Sequence, residues 1–177
     1  MKKVLEIGAG VDHYIAQSDE SVIYLDNIKL SHINVLHDLN KYPYPFKDNE
    51  FDKIICSHVL EHVIDIEKTL KELKRICKNG AVIKIAGPHF SCGVSYRDPT
   101  HRRFFSYFTF DYFTKDCFYA PVIFNIKSRR LNFTRQAFTL LNYVFNPIIN
   151  ISPLIYERFF CWMLPCAEVI CDLEVIK

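Results

Sequence analysis

Two glycines near the start of the chain stand where a backbone turn can come close to a ligand. Gly8 and Gly10 directly follow the apolar run at residues 4–7, and glycine permits both a tight turn and the close approach of main-chain N–H groups. A dinucleotide-binding turn would carry a third glycine at position 13, where this chain has His13. The spacing therefore predicts a ligand at this turn and argues against NAD or FAD.

Three carboxylates are spaced as a charged nucleoside ligand would need them. Glu6 precedes the glycine turn, where it would hold a positive amino or sulfonium group and repel a pyrophosphate. Asp26 follows the next apolar run and is placed to accept hydrogen bonds from both hydroxyls of a ribose. Asp38 follows the third run, where it would take the amino group of an adenine while Leu39 packs on the ring. Together they favour a sulfonium nucleoside over a dinucleotide.

The polar segment at residues 87–105 is a second concentration of reactive side chains. His89 and His101 lie in it and are candidate general bases for taking a proton from a hydroxyl or an amine. A metal site of His89, Asp98 and His101 is an alternative that the residue types leave open, as is a simple turn at Asp98. We predict acid–base chemistry without a metal.

The elements that must position these residues follow an α/β pattern. Five apolar or β-branched runs, at residues 4–7, 22–25, 34–36, 53–56 and 81–86, are predicted to be strands. Their continuous hydrophobicity favours a parallel sheet covered on both faces. The best helix signal begins at Asp65 and ends at Asn79-Gly80. The glycine turn is also expected to open a helix, but residues 27–32 leave room for one helical turn at most.

The second half of the chain predicts two more strands and a cap. The runs at residues 121–130 and 167–176 are expected to be strands antiparallel to each other. Residues 134–164 between them are predicted to form a helical insertion that caps the substrate side. The uncharged stretch at residues 136–156 is long enough to span a bilayer, but Asn142, Asn146 and Pro147 interrupt it. A homodimer contact, or a membrane contact through residues 136–156, is the alternative to the cap.

The bulk properties limit the choice of partners. The chain has 177 residues, with 22 basic and 20 acidic side chains, and its net charge of +2 provides no basic stripe for nucleic acid. Its seven cysteines are an odd number without a C-x-x-C pair, which is typical of free thiols in the cytoplasm. We therefore expect one domain over residues 1–177, in a cytoplasmic protein that binds no nucleic acid.

Five segments, in their order and spacing, resemble the class I S-adenosylmethionine-dependent methyltransferases, in the branch often labelled type 11. They are VLEIGAG (4–10), VIYLDN (22–27), HDLN (37–40), YPFKDNEFDKIICSHVLEHV (44–63) and LKELKRICKNGAVIKIAGP (70–88). The resemblance implies a Rossmann-like methyltransferase sandwich, with a mostly parallel seven-stranded sheet and an antiparallel last strand. It also implies S-adenosylmethionine as the cofactor, released as S-adenosylhomocysteine.

The same resemblance implies roles for residues at the carboxyl ends of the first four strands. These are Glu6, Gly8, Ala9 and Gly10 for the methionine part, Asp26 and Asn27 for the ribose, and Asp38 and Leu39 for the adenine. Ser57 and His58 would line the cofactor pocket, and His62 would help to close its floor. His62 would belong to a helix that starts at residues 60–62. Val11 departs from the family pattern, because a third glycine is common there.

The expected function is methyl transfer from S-adenosylmethionine to an oxygen, in preference to a nitrogen, of a small-molecule or glycan-like acceptor. No Asn-Pro-Pro-Tyr or Asp-Pro-Pro-Tyr follows the fourth strand, where family members that methylate adenine amino groups commonly place one. Two alternatives stay open. One is a regulatory module of the same fold that binds the cofactor without turnover, and the other is a nicotinamide-dependent oxidoreductase.

Overall fold

A computed structural model describes residues 1–177 and places seven strands in one sheet. The strands are β1 (Lys2–Ile7), β2 (Glu20–Asp26), β3 (Val35–Leu36), β4 (Phe51–Ser57), β5 (Cys77–Pro88), β6 (Phe124–Asn132) and β7 (Glu168–Val175). Their order across the sheet is β3-β2-β1-β4-β5-β7-β6. β1 to β5 are parallel, and β7 runs antiparallel to both of its neighbours, β5 and β6. The predicted mostly parallel sheet with an antiparallel last strand is confirmed.

Helix α1 (Ile66–Ile76) connects β4 to β5. The Asp65 side chain accepts a hydrogen bond from the Lys68 main-chain N–H at 2.9 Å, which confirms the predicted N-cap. The helix ends at Ile76, because Cys77 is already extended and begins β5. The predicted end at Asn79-Gly80 is therefore wrong, and Gly80, with φ +76°, turns the backbone inside the first part of β5.

One face of the sheet carries the hydrophobic core. Strand pairing aligns two rows of almost fully buried side chains on this face: Leu5, Ile54, Ile83 and Leu173 in one, and Ile7, Cys56, Ile85 and Cys171 in the next. The buried leucines of α1 and the phenylalanines at positions 105, 110 and 113 join the same cluster. Burial of this face is the main stabilising contribution of the sheet.

The opposite face is more polar. Strand pairing aligns Glu6, Ile55 and Lys84 in one row on this face. Val4 and Lys53 are aligned in the neighbouring row. Lys84 is exposed although β5 lies inside the sheet, so the expectation of cover on both faces is wrong. The charged side chains keep this face compatible with water, because lysine is almost never fully buried without a partner.

The first three crossovers contain no helix. Residues 8–19, 27–34 and 37–50 join β1 to β2, β2 to β3 and β3 to β4 without one. The glycine turn therefore does not open a helix, which corrects that expectation. The helix start predicted at residues 60–62 is also wrong, since this segment is a turn and α1 begins only at Ile66.

Helix α2 (Asn142–Ile151) turns a polar side toward the sheet. Asn142, Asn146 and Asn150 are four residues apart, and they make five side-chain hydrogen bonds of 2.7–3.0 Å to the backbone of residues 131–134. Most apolar side chains of α2 are left on the outside, where Tyr143 and Ile151 are about four-fifths exposed. A short α-helical turn (Pro153–Ile155) and a π-helical turn (Tyr156–Phe160) follow.

None of the helices combines the length and the apolar character that crossing a membrane requires. Three 3₁₀ turns complete the structure, at Gly93–Arg97, Thr109–Phe113 and Thr139–Leu141. All seven cysteines are free thiols.

Candidate functional site

A first cavity of about 240 Å³ lies at the carboxyl ends of β1, β2 and β4. In open α/β sheets this edge is where ligands bind. Seven of the predicted cofactor-binding residues line it: Gly8, Asp26, Asn27, Asp38, Leu39, His58 and His62. The structure thus brings together residues that lie up to 54 positions apart in the chain.

The backbone at Gly8 can be formed only by glycine. Its φ is +63°, and a Cβ atom there would lie 2.3 Å from Cγ2 of Val59. The main-chain N–H groups of Gly8 and Ala9 both donate to the Leu25 carbonyl, at 2.8 and 3.2 Å. These two N–H groups therefore hold the end of β2 against the turn and are not directed at a ligand.

Asp26 is oriented by two main-chain N–H groups. Gly10 donates to Oδ2 at 3.0 Å, and Ile28 donates to Oδ1 at 2.9 Å. The residue is only 8% exposed, yet it lines the first cavity, and each carboxylate oxygen keeps a further lone pair. It can therefore accept hydrogen bonds from the two hydroxyls of a ribose.

Asp38 is held in a similar way by Asn40. The main-chain N–H and the side-chain amide of Asn40 donate to Oδ1 of Asp38, at 2.9 and 3.2 Å. The main-chain hydrogen bond is the largest cause that lowers the pKa of Asp38, which favours the ionised form. Both bonds fall on Oδ1, so Oδ2 is left for a donor such as an amino group.

Glu6, Ala9, Gly10 and Ser57 do not line the first cavity. Glu6 is buried on the polar face of the sheet, where it accepts a hydrogen bond from the Tyr14 main-chain N–H at 2.7 Å. Burial raises the pKa of Glu6 more than this hydrogen bond lowers it. The placement of Glu6 does not support the predicted contact with a methionine part, and Gly10 acts on the cavity through Asp26.

A second cavity of about 640 Å³ adjoins the first, and His58 and His62 line both. Its other walls are residues 92–95, 98, 101, 133–137 and 165–167. The start of the segment predicted as a cap, residues 134–137, contributes to these walls, whereas residues 138–164 do not. Ser95, Asp98 and Arg135 provide the second cavity with both hydrogen-bond donors and hydrogen-bond acceptors.

His58, at the junction of the two cavities, lies between two carboxylates. Its Nε2 is 2.7 Å from Oε2 of Glu168, and its Nδ1 is 3.2 Å from Oε1 of Glu61. Burial lowers the pKa of His58, but the hydrogen bond with Glu168 and the nearby Glu61 carboxylate outweigh it and raise the pKa. The backbone of His58 has φ +54°, a conformation that is uncommon outside glycine and costs about 1–3 kcal/mol.

His101 is the predicted base that reaches open space. It lines the second cavity, and its Nδ1 donates to the Ser95 carbonyl at 2.7 Å. Because a carbonyl oxygen only accepts, the lone pair of the neutral ring is on Nε2. This nitrogen lies 3.8 Å from Oδ2 of Asp98, and the His62 ring is 4.7 Å away between centroids.

His89 does not line either cavity. It is fully buried, with Nδ1 2.8 Å from the Ser91 hydroxyl and Nε2 3.1 Å from Oε1 of Glu157. Since both ring nitrogens are engaged inside the protein, the prediction of His89 as a base is corrected to a structural role. The metal set of His89, Asp98 and His101 is not assembled either.

Sequence reasoning missed several residues of the site. Four further residues line the first cavity: His37, Asn40, Val59 and Val63. All four lie inside the motifs HDLN and SHVLEHV, so membership in these motifs could have identified them. Glu61 was expected only as part of a helix start at residues 60–62, and its burial was missed because this segment is a turn.

The amino-acid sequence matches a known family over its first half. A family model described as a methyltransferase domain matches residues 5–85. An uncharacterized protein of Methanocaldococcus jannaschii is 40% identical over 88 residues, which cover 43% of this chain and 36% of that protein. The match therefore spans little more than a third of that relative's length.

Solved structures share the fold over nearly the whole chain. A SAM-dependent methyltransferase from Archaeoglobus fulgidus is 19% identical, with a TM-score of 0.61, and the alignment covers 98% of this chain and 86% of that one. The YcgJ protein of Bacillus subtilis is 18% identical, with a TM-score of 0.62 and coverage of 99% and 92%. Residues 5–85 are therefore similar to methyltransferase domains, and the chain shares the α/β fold of these solved structures.

Proposed function

We propose that the protein transfers a methyl group from S-adenosylmethionine to an oxygen, in preference to a nitrogen, of a small-molecule or glycan-like acceptor. The observation that carries this proposal is the pair of adjoining cavities that share His58 and His62. Two substrates that exchange a group must meet at such a junction, and holding them there supplies much of the rate acceleration.

The first cavity suits the nucleoside part of the cofactor. Asp26 offers acceptor oxygens to the ribose hydroxyls, Asp38 offers Oδ2 to the adenine amino group, and Leu39 supplies an apolar wall. At about 240 Å³ the cavity is smaller than the roughly 300–1,000 Å³ of a pocket for a drug-sized ligand. The methionine part would therefore extend toward the second cavity.

The second cavity would hold the acceptor beside the reacting group. S-adenosylmethionine supplies a methyl group on a positively charged sulfur. As the acceptor oxygen forms its bond to this carbon, the sulfur keeps the electron pair of the broken bond and the acceptor loses a proton. Nε2 of His101, which lines the second cavity with its lone pair free, is placed to take that proton.

The lining of the second cavity supports an oxygen-rich acceptor. Ser95 and Thr134 offer hydroxyl groups, Asp98 offers a carboxylate, and Arg135 offers a guanidinium that can pair with an anionic group. Such a mixed set suits a molecule with several hydroxyl groups, such as a sugar.

A cofactor-binding module without turnover is the second candidate. The observation in its favour is the missing helix after the glycine turn, together with a Glu6 side chain directed away from the first cavity. A nicotinamide oxidoreductase is no longer favoured, because residues 5–85 match a methyltransferase domain and His13 stands where a dinucleotide-binding turn carries its third glycine.

Turnover separates the two candidates. The protein is incubated with S-adenosylmethionine and a panel of hydroxylated and amine acceptors, and S-adenosylhomocysteine is measured by mass spectrometry. The enzyme should form S-adenosylhomocysteine only when an acceptor is present, with the mass of the acceptor raised by one methyl group. Binding of S-adenosylhomocysteine without product for any acceptor would favour the module instead.

The exposed apolar side chains of α2 support a contact with a partner. Tyr143, Ile148 and Ile151 lie on its outer side and are at least half exposed. A homodimer and a membrane contact through residues 136–156 both remain proposals. Light scattering that gives twice the monomer mass would support the dimer, and co-sedimentation with lipid vesicles would support the membrane contact.

A further inference from the structure

We propose that Glu61, His62 and His101 form a binding site for one divalent transition-metal ion at the wall of the second cavity. One possible ligand atom from each of these residues lies within 4.8 Å of the other two. Metal binding at this place goes beyond methyl transfer and does not require it.

The Glu61 side chain is the observation that points to a cation. The residue is fully buried, and neither of its carboxylate oxygens has a hydrogen-bond partner. His58 Nδ1 lies 3.2 Å from Oε1 and forms an ion pair with it when the ring is protonated, but this contact lacks the geometry of a hydrogen bond. A buried ionised carboxylate is strongly unfavourable unless it is paired, hydrogen-bonded or coordinated to a metal. The free oxygens of Glu61 are therefore suited to a cation in this cluster.

Both histidines are held with one nitrogen prepared for a metal. His101 donates from Nδ1 to the Ser95 carbonyl, so its lone pair is on Nε2. The Thr100 hydroxyl donates its own proton to the Asp98 carboxylate at 2.7 Å. The same hydroxyl oxygen must therefore accept from Nδ1 of His62, at 2.9 Å, which leaves Nε2 of His62 free as well. Metal-binding histidines in proteins are typically fixed in this way, by a hydrogen bond from the other ring nitrogen.

The distances require a modest adjustment. Two ligand atoms that each lie about 2.0–2.2 Å from one tetrahedral ion are about 3.3–3.6 Å apart. The ligand atoms here are within 4.8 Å of one another, so about 1 Å of side-chain movement closes the site. Two imidazoles and one carboxylate suit Zn²⁺, Co²⁺ or Fe²⁺ better than Ca²⁺ or Mg²⁺, which prefer oxygen ligands.

The position of the ion gives it a role in the proposed function. His62 and His101 both line the second cavity, so coordination positions not taken by the protein would face an acceptor oxygen. This role rests on the proposed methyl transfer, whereas the binding of the ion does not. The same nitrogen of His101 cannot both bind an ion and take a proton, so metal binding also decides between these two roles.

Cobalt(II) titration of the metal-free full chain tests the site directly. We expect one equivalent of Co²⁺ to bind, with visible absorption bands of a nitrogen and oxygen ligand set and no thiolate-to-cobalt band. We also expect one equivalent of Zn²⁺ to displace it. Zn²⁺ should raise the melting temperature, because a ligand that binds the folded state stabilises it.

Variants show whether the three residues hold the ion. Glu61→Gln and His101→Ala should each weaken Co²⁺ binding at least tenfold, while the control His13→Ala, at an exposed histidine, should bind as the wild type does. Without metal, Glu61→Gln should melt no lower than the wild type, because it keeps the shape of the side chain and replaces a buried carboxylate that accepts no hydrogen bond. This second measurement separates loss of the site from loss of the fold.

Three results would overturn the proposal. They are no saturable Co²⁺ binding by the wild type, a thiolate-to-cobalt band, or equal affinity in Glu61→Gln and the wild type. These results bear on the role of His101 Nε2 and not on whether a methyl group is transferred, which is tested by acceptor turnover, so the two proposals fail independently.

Discussion

His101 is the single residue on which the proposed chemistry depends most. Its Nδ1 is held by the Ser95 carbonyl, which fixes the tautomer and directs Nε2 to the second cavity. The His62 ring packs edge-on against it, so the orientation is set from two sides. Such a nitrogen can act either as a general base or as a metal ligand.

We predict that His101→Ala lowers turnover more than cofactor affinity. The side chain lines the second cavity but not the first, so the dissociation constant for S-adenosylhomocysteine should change less than threefold. Loss of a general base lowers turnover by about 100-fold or more. Steady-state kinetics and calorimetry measure the two quantities, with His13→Ala as the control, and unchanged turnover would return His101 to a structural role.

At the scale of elements, the loop at residues 8–19 lies where the glycine turn was expected to open a helix. Tyr14 fixes it to the polar face of the sheet, with its main-chain N–H on Glu6 and its hydroxyl on Glu20. Lys53 pairs with Glu20 and donates to the Tyr14 hydroxyl at 3.0 Å. Burial raises the pKa of Glu20, but the hydrogen bonds from Lys53 and Tyr14 outweigh it and lower the pKa to about 2.

This shift predicts how acid affects the loop. A carboxyl group whose folded pKa is about 2, against an ordinary value of 4.5, stabilises the protein fully above pH 4.5 and loses this contribution as the pH falls toward 2. The difference in unfolding free energy between the wild type and Glu20→Gln should therefore shrink from pH 6 to pH 3. Urea unfolding at both pH values measures it, with Glu67→Gln on α1 as the control. A difference that grows on acidification would contradict the account.

Helix α2 is attached by its asparagines rather than by an apolar stripe. Asn146 accepts a hydrogen bond from the Phe133 main-chain N–H at 2.7 Å and donates to the Asn132 side chain at 3.0 Å. The asparagines that argue against a membrane span in the sequence are thus the residues that dock the helix. Their docking leaves the apolar side outward.

Asn146→Ala should loosen this attachment. The substitution removes both hydrogen bonds and leaves a main-chain N–H at residue 133 without a partner, which costs about 1–3 kcal/mol. We expect faster hydrogen exchange in α2 and an unfolding free energy lower by that amount. Tyr143→Ala, on the exposed side of the same helix, is the matched control. Equal protection of α2 in Asn146→Ala and the control would show that apolar packing holds the helix.

At the scale of the whole molecule, the strands of the sheet could be predicted well, whereas the segments that pack on its faces could not. Strands are encoded locally by short apolar runs, and the family resemblance supplies their order. The segments on the faces of the sheet are not encoded locally. Their contacts join residues from separate elements, such as Tyr14, Glu20 and Lys53, which meet only in the fold. No local pattern marks a loop that takes the place of a helix.

The residues of the candidate site also fall into those that the sequence could predict and those that it could not. The positions of Asp26 and Asp38 beside the first cavity were predictable because both residues follow strand ends, where parallel strands share one edge. Glu6 occupies an equivalent place, but its side chain points to the polar face and binds Tyr14. Glu61 and His101 are 40 positions apart, and the turn that brings them together has no signature in the sequence.

Calorimetric titration with S-adenosylhomocysteine tests the central claim most directly, because every proposed step requires the nucleoside site around Asp26. We predict saturable binding by the wild type, binding weaker by about tenfold or more in Asp26→Ala, which corresponds to about 1.4 kcal/mol, and no response to NADH. The control Asp12→Ala, at an exposed carboxylate just past the glycine turn, should bind as the wild type does. Equal affinity in Asp26→Ala and the wild type, or binding of NADH without binding of S-adenosylhomocysteine, would contradict the account.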